Sequence, residues 1–193
     1  KSFISSILRE VFGYSEKKRP IKGYEIGSGK NVLLLIGTLH GDETGPTDLL
    51  NILVKEIQKK PEIISKTKKI VIIPTVNIDG FEEKIYKLNS NGVNLNINFN
   101  TPNWETVGPE GTFAGDEPFS ESESRTIRKV VGDYKPILFI SFHSQGSVVT
   151  PSIDQASIDL ADWYAKNSGY KFFDDWPFDY FGTATEWFTR TTN

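Results

Sequence analysis

Three apolar runs constrain this chain more than anything else in it: "NVLLLIGTL" (31–39), "KIVIIPTVN" (69–77) and "PILFISFHS" (136–144). Each is continuously apolar rather than alternating, the pattern of a strand covered on both faces in a largely parallel sheet. Segments with helical spacing separate them. "GPTDLLNILVKEIQ" places Pro46 in a first turn and repeats Leu49, Leu50, Leu53 and Ile57 along one side. A second helix is expected in "FSESESRTIRKVVGDY", with Ser120 and Glu123 as a capping box. A third is "SIDLADWYAKNSG", closed by Gly169. This order implies an α/β fold: a mixed, mostly parallel central sheet with helices on both faces, in three layers. The N-terminal "KSFISSILREVFG" reads as a short amphipathic helix rather than a signal peptide.

Composition works by exclusion. With 22 basic and 25 acidic residues well mixed, nothing marks a nucleic-acid partner or a membrane-surface patch. No apolar run approaches the roughly 18 to 20 residues of a membrane helix. The absence of cysteine removes disulfides and thiolate metal sites. A single domain over 1–193 is expected, with no repeat and no linker. The chain begins at Lys1 and contains no methionine. A trimmed piece of a longer protein, truncated at its C-terminal end, is therefore expected. A removed signal peptide stays open, and so does the compartment, with the cytoplasm slightly favoured.

The candidate chemistry lies at strand ends. His40 stands just past the first run and His143 near the end of the third, and these are the two histidines of the chain. In open α/β sheets, ligands gather beyond the carboxyl ends of the strands. Glu43 follows His40 by three residues. "HGDETGP" alone is equally a strand-to-helix turn, with Asp42 and Glu43 favouring the positive end of a helix dipole. A lone histidine in "FISFHSQG" is more often a hydrogen-bonded structural side chain than a ligand. Taken together, His40, Glu43 and His143 have the ligand count of a catalytic zinc site with one open position.

Residues 77–118 are rich in Asn, Gly and Pro, and a loop this long inside a compact domain is more often functional than idle. The loop carries "NIDG" and "KLNSNGVNLNINF". With "HGDE" before it and "FISFHS" after, the chain resembles the zinc metallocarboxypeptidases of the carboxypeptidase A type. It looks most like the bacterial murein peptide amidases and related cell-wall-peptide carboxypeptidases. The resemblance spans residues 19–188.

The resemblance implies one zinc per chain, held by His40, Glu43 and His143, and hydrolysis of an amide bond in a short peptide such as a cell-wall stem peptide. It places Asn96 at the substrate carboxylate and Lys87 where the family has an arginine that stabilises the oxyanion. Tyr180 lies near the family's mobile substrate-binding tyrosine. The chain departs from the family at Ile97, where a carboxylate-clamping arginine is usual, and at Asn94, where aspartate is usual. Either another cation such as Arg125 or Arg190 replaces the missing clamp, or the substrate is not held by a free carboxylate at that place. The catalytic glutamate is either Glu186 or a residue beyond Asn193. Two rivals remain: a deacylase of the succinylglutamate desuccinylase and aspartoacylase type, and an inactive binding protein that keeps the fold.

Overall fold

The three apolar runs are strands, and they lie side by side. The computed structural model describes residues 7–108, 111–144, 146–174 and 181–192. The chain runs β1 (Ile7–Tyr14), β2 (Pro20–Ile26), β3 (Asn31–Gly37), α1 (Gly45–Lys59), β4 (Lys68–Ile73), α2 (Ile78–Glu83) and α3 (Ser122–Tyr134). It continues through β5 (Leu138–Phe142), β6 (Val148–Val149), α4 (Gln155–Ser168), β7 (Lys171–Phe172) and α5 (Ala184–Thr192). The main sheet has the order β1-β2-β4-β3-β5. β3 is parallel to β4 on one side and to β5 on the other. β2 adds antiparallel to β4, and β1 antiparallel to β2.

Alternation within the apolar strands feeds two cores. Leu35, Ile70 and Ile72 face Leu50, Val54 and Ile57 of α1. Leu34, Ile36, Val71 and Ile73 turn to the opposite face and meet Ile127, Val130 and Val131 of α3 and Trp187 of α5. Each fully buried Leu or Ile contributes on the order of 2 kcal/mol, so the strands must be apolar on both sides. Pro46 does open α1, and Gly169 caps α4 in the left-handed conformation. The inward stripe of α1 is shifted from the expected one. Leu49 is 47% exposed and Val54 takes its place in the core.

Two expectations from the sequence fail. The N-terminal segment is not a helix where the structure describes it: Ile7–Tyr14 is β1, paired from Ile7↔Ile26 to Tyr14↔Pro20. Leu8 and Val11 are exposed. Ile7 and Phe12 pack inward instead, Phe12 edge-on to Tyr134 of α3. The capping box also fails, because α3 starts at Ser122 with Glu121 at the cap position and no side-chain cap bond. Ser120 donates to Glu121 Oε1, and Glu123 is drawn into a buried cluster described below.

The long loop is held by buried asparagines. Asn77 Oδ1 accepts from Gly80 N–H at the start of α2, while its Nδ2 donates to the Leu39 and Leu88 carbonyls. Asn89 Oδ1 takes the Asn91 and Val93 amides. Asn98, fully buried, donates from Nδ2 to Ala114 O at 2.7 Å and accepts at Oδ1 from Ser124 Oγ at 2.5 Å and Glu121 N at 3.3 Å. Irregular backbone inside a protein must find such partners, since an orphaned buried group costs roughly 1 to 3 kcal/mol. Asn98→Ala strands several at once and is expected to destabilise the protein by at least about 3 kcal/mol. Thermal unfolding checks this, with a midpoint lowered by roughly 6 °C or more.

Candidate metal centre

Three loops at the carboxyl edge of the parallel strands build the site. Gly37 of β3 is level with Phe142 of β5, so the segments leaving both strands emerge together. His143 follows Phe142 directly, and His40 lies three residues past Gly37. The first loop is pinned tightly. Thr38 takes a left-handed φ of 49° and donates from Oγ1 to Glu43 O, and Val76 and Asn77 donate to the Gly37 and Thr38 carbonyls. Asn77 also holds Leu39 O, the carbonyl just before His40. The "NIDG" motif therefore positions the metal loop rather than contacting a ligand.

Two glycines let the loops close. A Cβ on Gly41 would sit 2.6 Å from Ile85 O and 2.7 Å from the Gly80 backbone. A Cβ on Gly45 would lie 3.2 Å from Ser144 Cβ, so Gly45 permits the loop carrying His143 to approach the start of α1.

The three side chains converge. His40 Nδ1 lies 3.1 Å from Glu43 Oε1, and His143 Nδ1 lies 2.9 Å from Glu43 Oε2. The imidazole centroids are 4.9 Å apart. Glu43 is buried while His143 opens to solvent. Burial pushes the Glu43 carboxyl up, but hydrogen bonds from His143 and His40 outweigh it and hold the group down at about 2. One donor atom from each residue lies within 4.8 Å of the others.

This set fits zinc. Its donors are two imidazole nitrogens and a carboxylate oxygen, and ligands on one tetrahedral zinc sit roughly 3.4 Å apart, near the distances seen. The ring atoms facing away differ. His143 Nε2 is 3.3 Å from Ser141 Oγ. His40 Nε2 is buried and, among the described residues, has no partner. A zinc-bound histidine usually donates its other N–H to an acceptor, whose loss weakens metal binding by about 10- to 100-fold.

The other expected residues spread along an open groove of about 1970 Å³ that runs from this cluster past β5 to α4 and α5. Lys87, Asn96 and Glu186 line it with His40, Glu43 and His143. Lys87 has a φ of 57°, and its Nζ stands 5.5 Å from the centre of the Tyr86 ring. Its backbone N–H donates to Asp42 Oδ1 at 2.7 Å. That bond ties the Lys87 loop to the metal loop, a role for Asp42 that its place in an acidic turn did not signal. Asn96 is half-buried, and its amide is fixed by Asn94 Oδ1, which caps a short 3₁₀ turn at Leu95–Ile97.

Ile97 is fully buried, so position 97 points no group at the groove. Glu186, 7% exposed, accepts from Arg190 Nε at 2.8 Å. Arg125 is committed to the Phe119 and Ser120 carbonyls and to Glu16. Tyr180 lies outside the described residues.

Comparison with known proteins agrees with this geometry. Residues 4–171 match the family described as zinc carboxypeptidase. Murein peptide amidase A of Escherichia coli (strain K12) is 28% identical over 151 residues, covering 72% of this chain and 58% of that protein. Carboxypeptidase B of Astacus astacus is 26% identical over 163 residues, covering 70% and 53%. The chain thus spans little more than half the length of these relatives. Carboxypeptidase A from Helicoverpa armigera superposes with a TM-score of 0.81 at 21% identity, over 97% of this chain and 57% of that one. The murein-tripeptide amidase from Escherichia coli O157 gives 0.76 at 20%, over 94% and 78%.

Proposed function

Because the chain belongs to the zinc carboxypeptidase family, we propose that it is a zinc-dependent hydrolase of peptide amide bonds, with one ion per chain held by His40, Glu43 and His143. The observation that carries this reading is the meeting of His40 Nδ1 and His143 Nδ1 on the two oxygens of the buried Glu43 carboxylate. Bound there, zinc would polarise the scissile carbonyl and lower the pKa of a water to about 7. Glu43 and the pinned 38–44 loop fix the histidines in advance, so little reorganisation is needed when substrate arrives.

Lys87, on the wall of the same groove, brings the positive charge assigned to the oxyanion, and its backbone is tied to the metal loop through Asp42. A lysine there acts as a point charge, without the two-pronged grip of arginine. Asn96 offers an amide to substrate from the same groove. Glu186 is the proton carrier proposed from these 193 residues, oriented by Arg190; a glutamate supplied from outside them is the other reading.

For substrate, the buried Ile97 argues against a carboxylate clamp at that position, and the amidase relative favours a cell-wall stem peptide. Assays on γ-glutamyl-diaminopimelate peptides beside ordinary C-terminal peptides test this. Hydrolysis of the former is expected to dominate, and cleavage of ordinary peptides alone would sink the stem-peptide reading. The buried Ile97 and the ion-paired Glu186 equally favour a second reading, a zinc-holding binding protein, for which neither substrate would turn over while zinc stayed bound.

A further inference from the structure

A second cluster of ionisable groups lies away from the groove, where the β1–β2 turn meets the first turn of α3. Glu16, Glu121 and Glu123 each bring one carboxylate oxygen to within 4.8 Å of the others. Glu121 is 4% exposed and Glu123 is fully buried. Their bonds are uneven. Glu121 is well satisfied, taking Ser120 Oγ on Oε1 and the Asn89 and Asn91 amides on Oε2. Glu16 Oε1 accepts from Ser122 N at 2.6 Å and from Arg125 at 3.3 Å. Glu123 Oε1 accepts the Glu16 amide in a long contact of 3.4 Å, and the carboxyl also takes its own backbone N–H. Its Oε2 is buried and, among the described residues, has no partner.

The surrounding charges do not neutralise this group. Arg125 reaches only Glu16, from the exposed side. Lys18 acts on Glu16 from the turn. Arg19 is spent on Asp79 and Glu83, and Asp79 adds another negative charge facing Glu123. Two buried carboxylates and a half-buried one thus gather around an oxygen that has no partner among the described residues. Burial pushes the Glu123 carboxyl up to about 7.

We infer that Glu16, Glu121 and Glu123 form a structural site for a hard divalent cation, calcium, that ties the β1–β2 turn to α3. The donors are all oxygen, which suits calcium or magnesium rather than zinc. Calcium takes six to eight oxygens in a flexible geometry, whereas magnesium demands a near-ideal octahedron and keeps several waters. Carboxylates already fixed by bonds to Ser122, Ser120, Asn89 and Asn91 suit the more tolerant ion. Glu123 Oε2 would then gain the partner it lacks.

The test uses the full chain with zinc kept saturating, so that the histidine site is filled, and measures ⁴⁵Ca²⁺ binding by equilibrium dialysis at pH 7.5. About one calcium per chain is expected, with a Kd of roughly 1 mM or tighter. Glu123→Gln, which keeps the shape and removes the charge, should weaken binding at least tenfold. Glu16→Gln, at a more exposed position, should do the same in a variant whose folding is checked by circular dichroism. No calcium binding by the parent at about 10 mM, well above that range, would overturn the proposal, as would parent-like binding by both variants. Magnesium competing as tightly as calcium would overturn the choice of ion.

Discussion

Replacing Glu43 with glutamine is expected to take zinc from about one ion per chain to a small fraction of that, and amide hydrolysis with it. Both histidines meet on this carboxylate, at 3.1 and 2.9 Å, so the change removes the anionic ligand and the group that orients the other two. A structural zinc site contributes on the order of 10 kcal/mol of binding. Losing one charged ligand from three should therefore exceed the roughly 100-fold upper cost of losing an outer partner. Because His40 Nε2 has no such partner among the described residues, the site has little affinity in reserve. Elemental analysis and turnover, measured on the same preparation after exhaustive dialysis, check the prediction. Full zinc content in Glu43→Gln would show that the ion sits elsewhere.

The second large effect concerns pH and lies in the first turn of α3. Glu123 is fully buried, and burial raises its carboxyl from the usual 4.5 to about 7. Between these values the folded protein holds a proton that the unfolded chain has released, so stability falls as pH rises through the window and levels off above it. The full shift corresponds to on the order of 3 kcal/mol. Glu123→Gln has no proton to lose there.

With chelator present, the unfolding midpoint of the parent should therefore drop relative to the variant by roughly 6 to 12 °C between pH 4.5 and 7. The difference between the two curves isolates Glu123. Other titrating groups, including Glu16 and Asp79, whose carboxyls are held below their usual values, are common to both proteins. Parallel curves would mean that Glu123 carries its charge without cost.

How far the sequence foretold these features depended on whether the cause was local. Continuous apolar runs require cover on both faces, so β3, β4 and β5 were legible. Pro46 and Gly169 act through their own backbone preferences, and both helix ends were found. β1 was not, because Ile7, Leu8 and Val11 mimic helical spacing. What makes this segment a strand is its pairing with β2, a partner no local pattern reveals. The Ser120–Glu123 box failed for a related reason, since both side chains are taken up by tertiary contacts, Ser120 with Asn98 and Glu123 with the Glu16 amide.

At the metal centre, position at strand ends singled out the two histidines, and the family resemblance made them ligand candidates. The left-handed Thr38 and Lys87, the Asp42 bond to the Lys87 amide and the close approach at Gly45 were not legible, because each depends on loops distant in sequence arriving together. The asparagines of "GVNLNINF" drew notice only through resemblance. Their work is physical and local: Asn94 caps a 3₁₀ turn, and Asn98 satisfies buried backbone.

The central claim is that one ion is held by His40 Nδ1, Glu43 and His143 Nδ1. Anomalous diffraction at the zinc edge, from crystals of the full chain equilibrated with zinc, tests it most directly. The account predicts one dominant peak about 2.0 to 2.2 Å from those three groups. A peak on an Nε2 atom, a dominant peak among Glu16, Glu121 and Glu123, or no peak at all would contradict it.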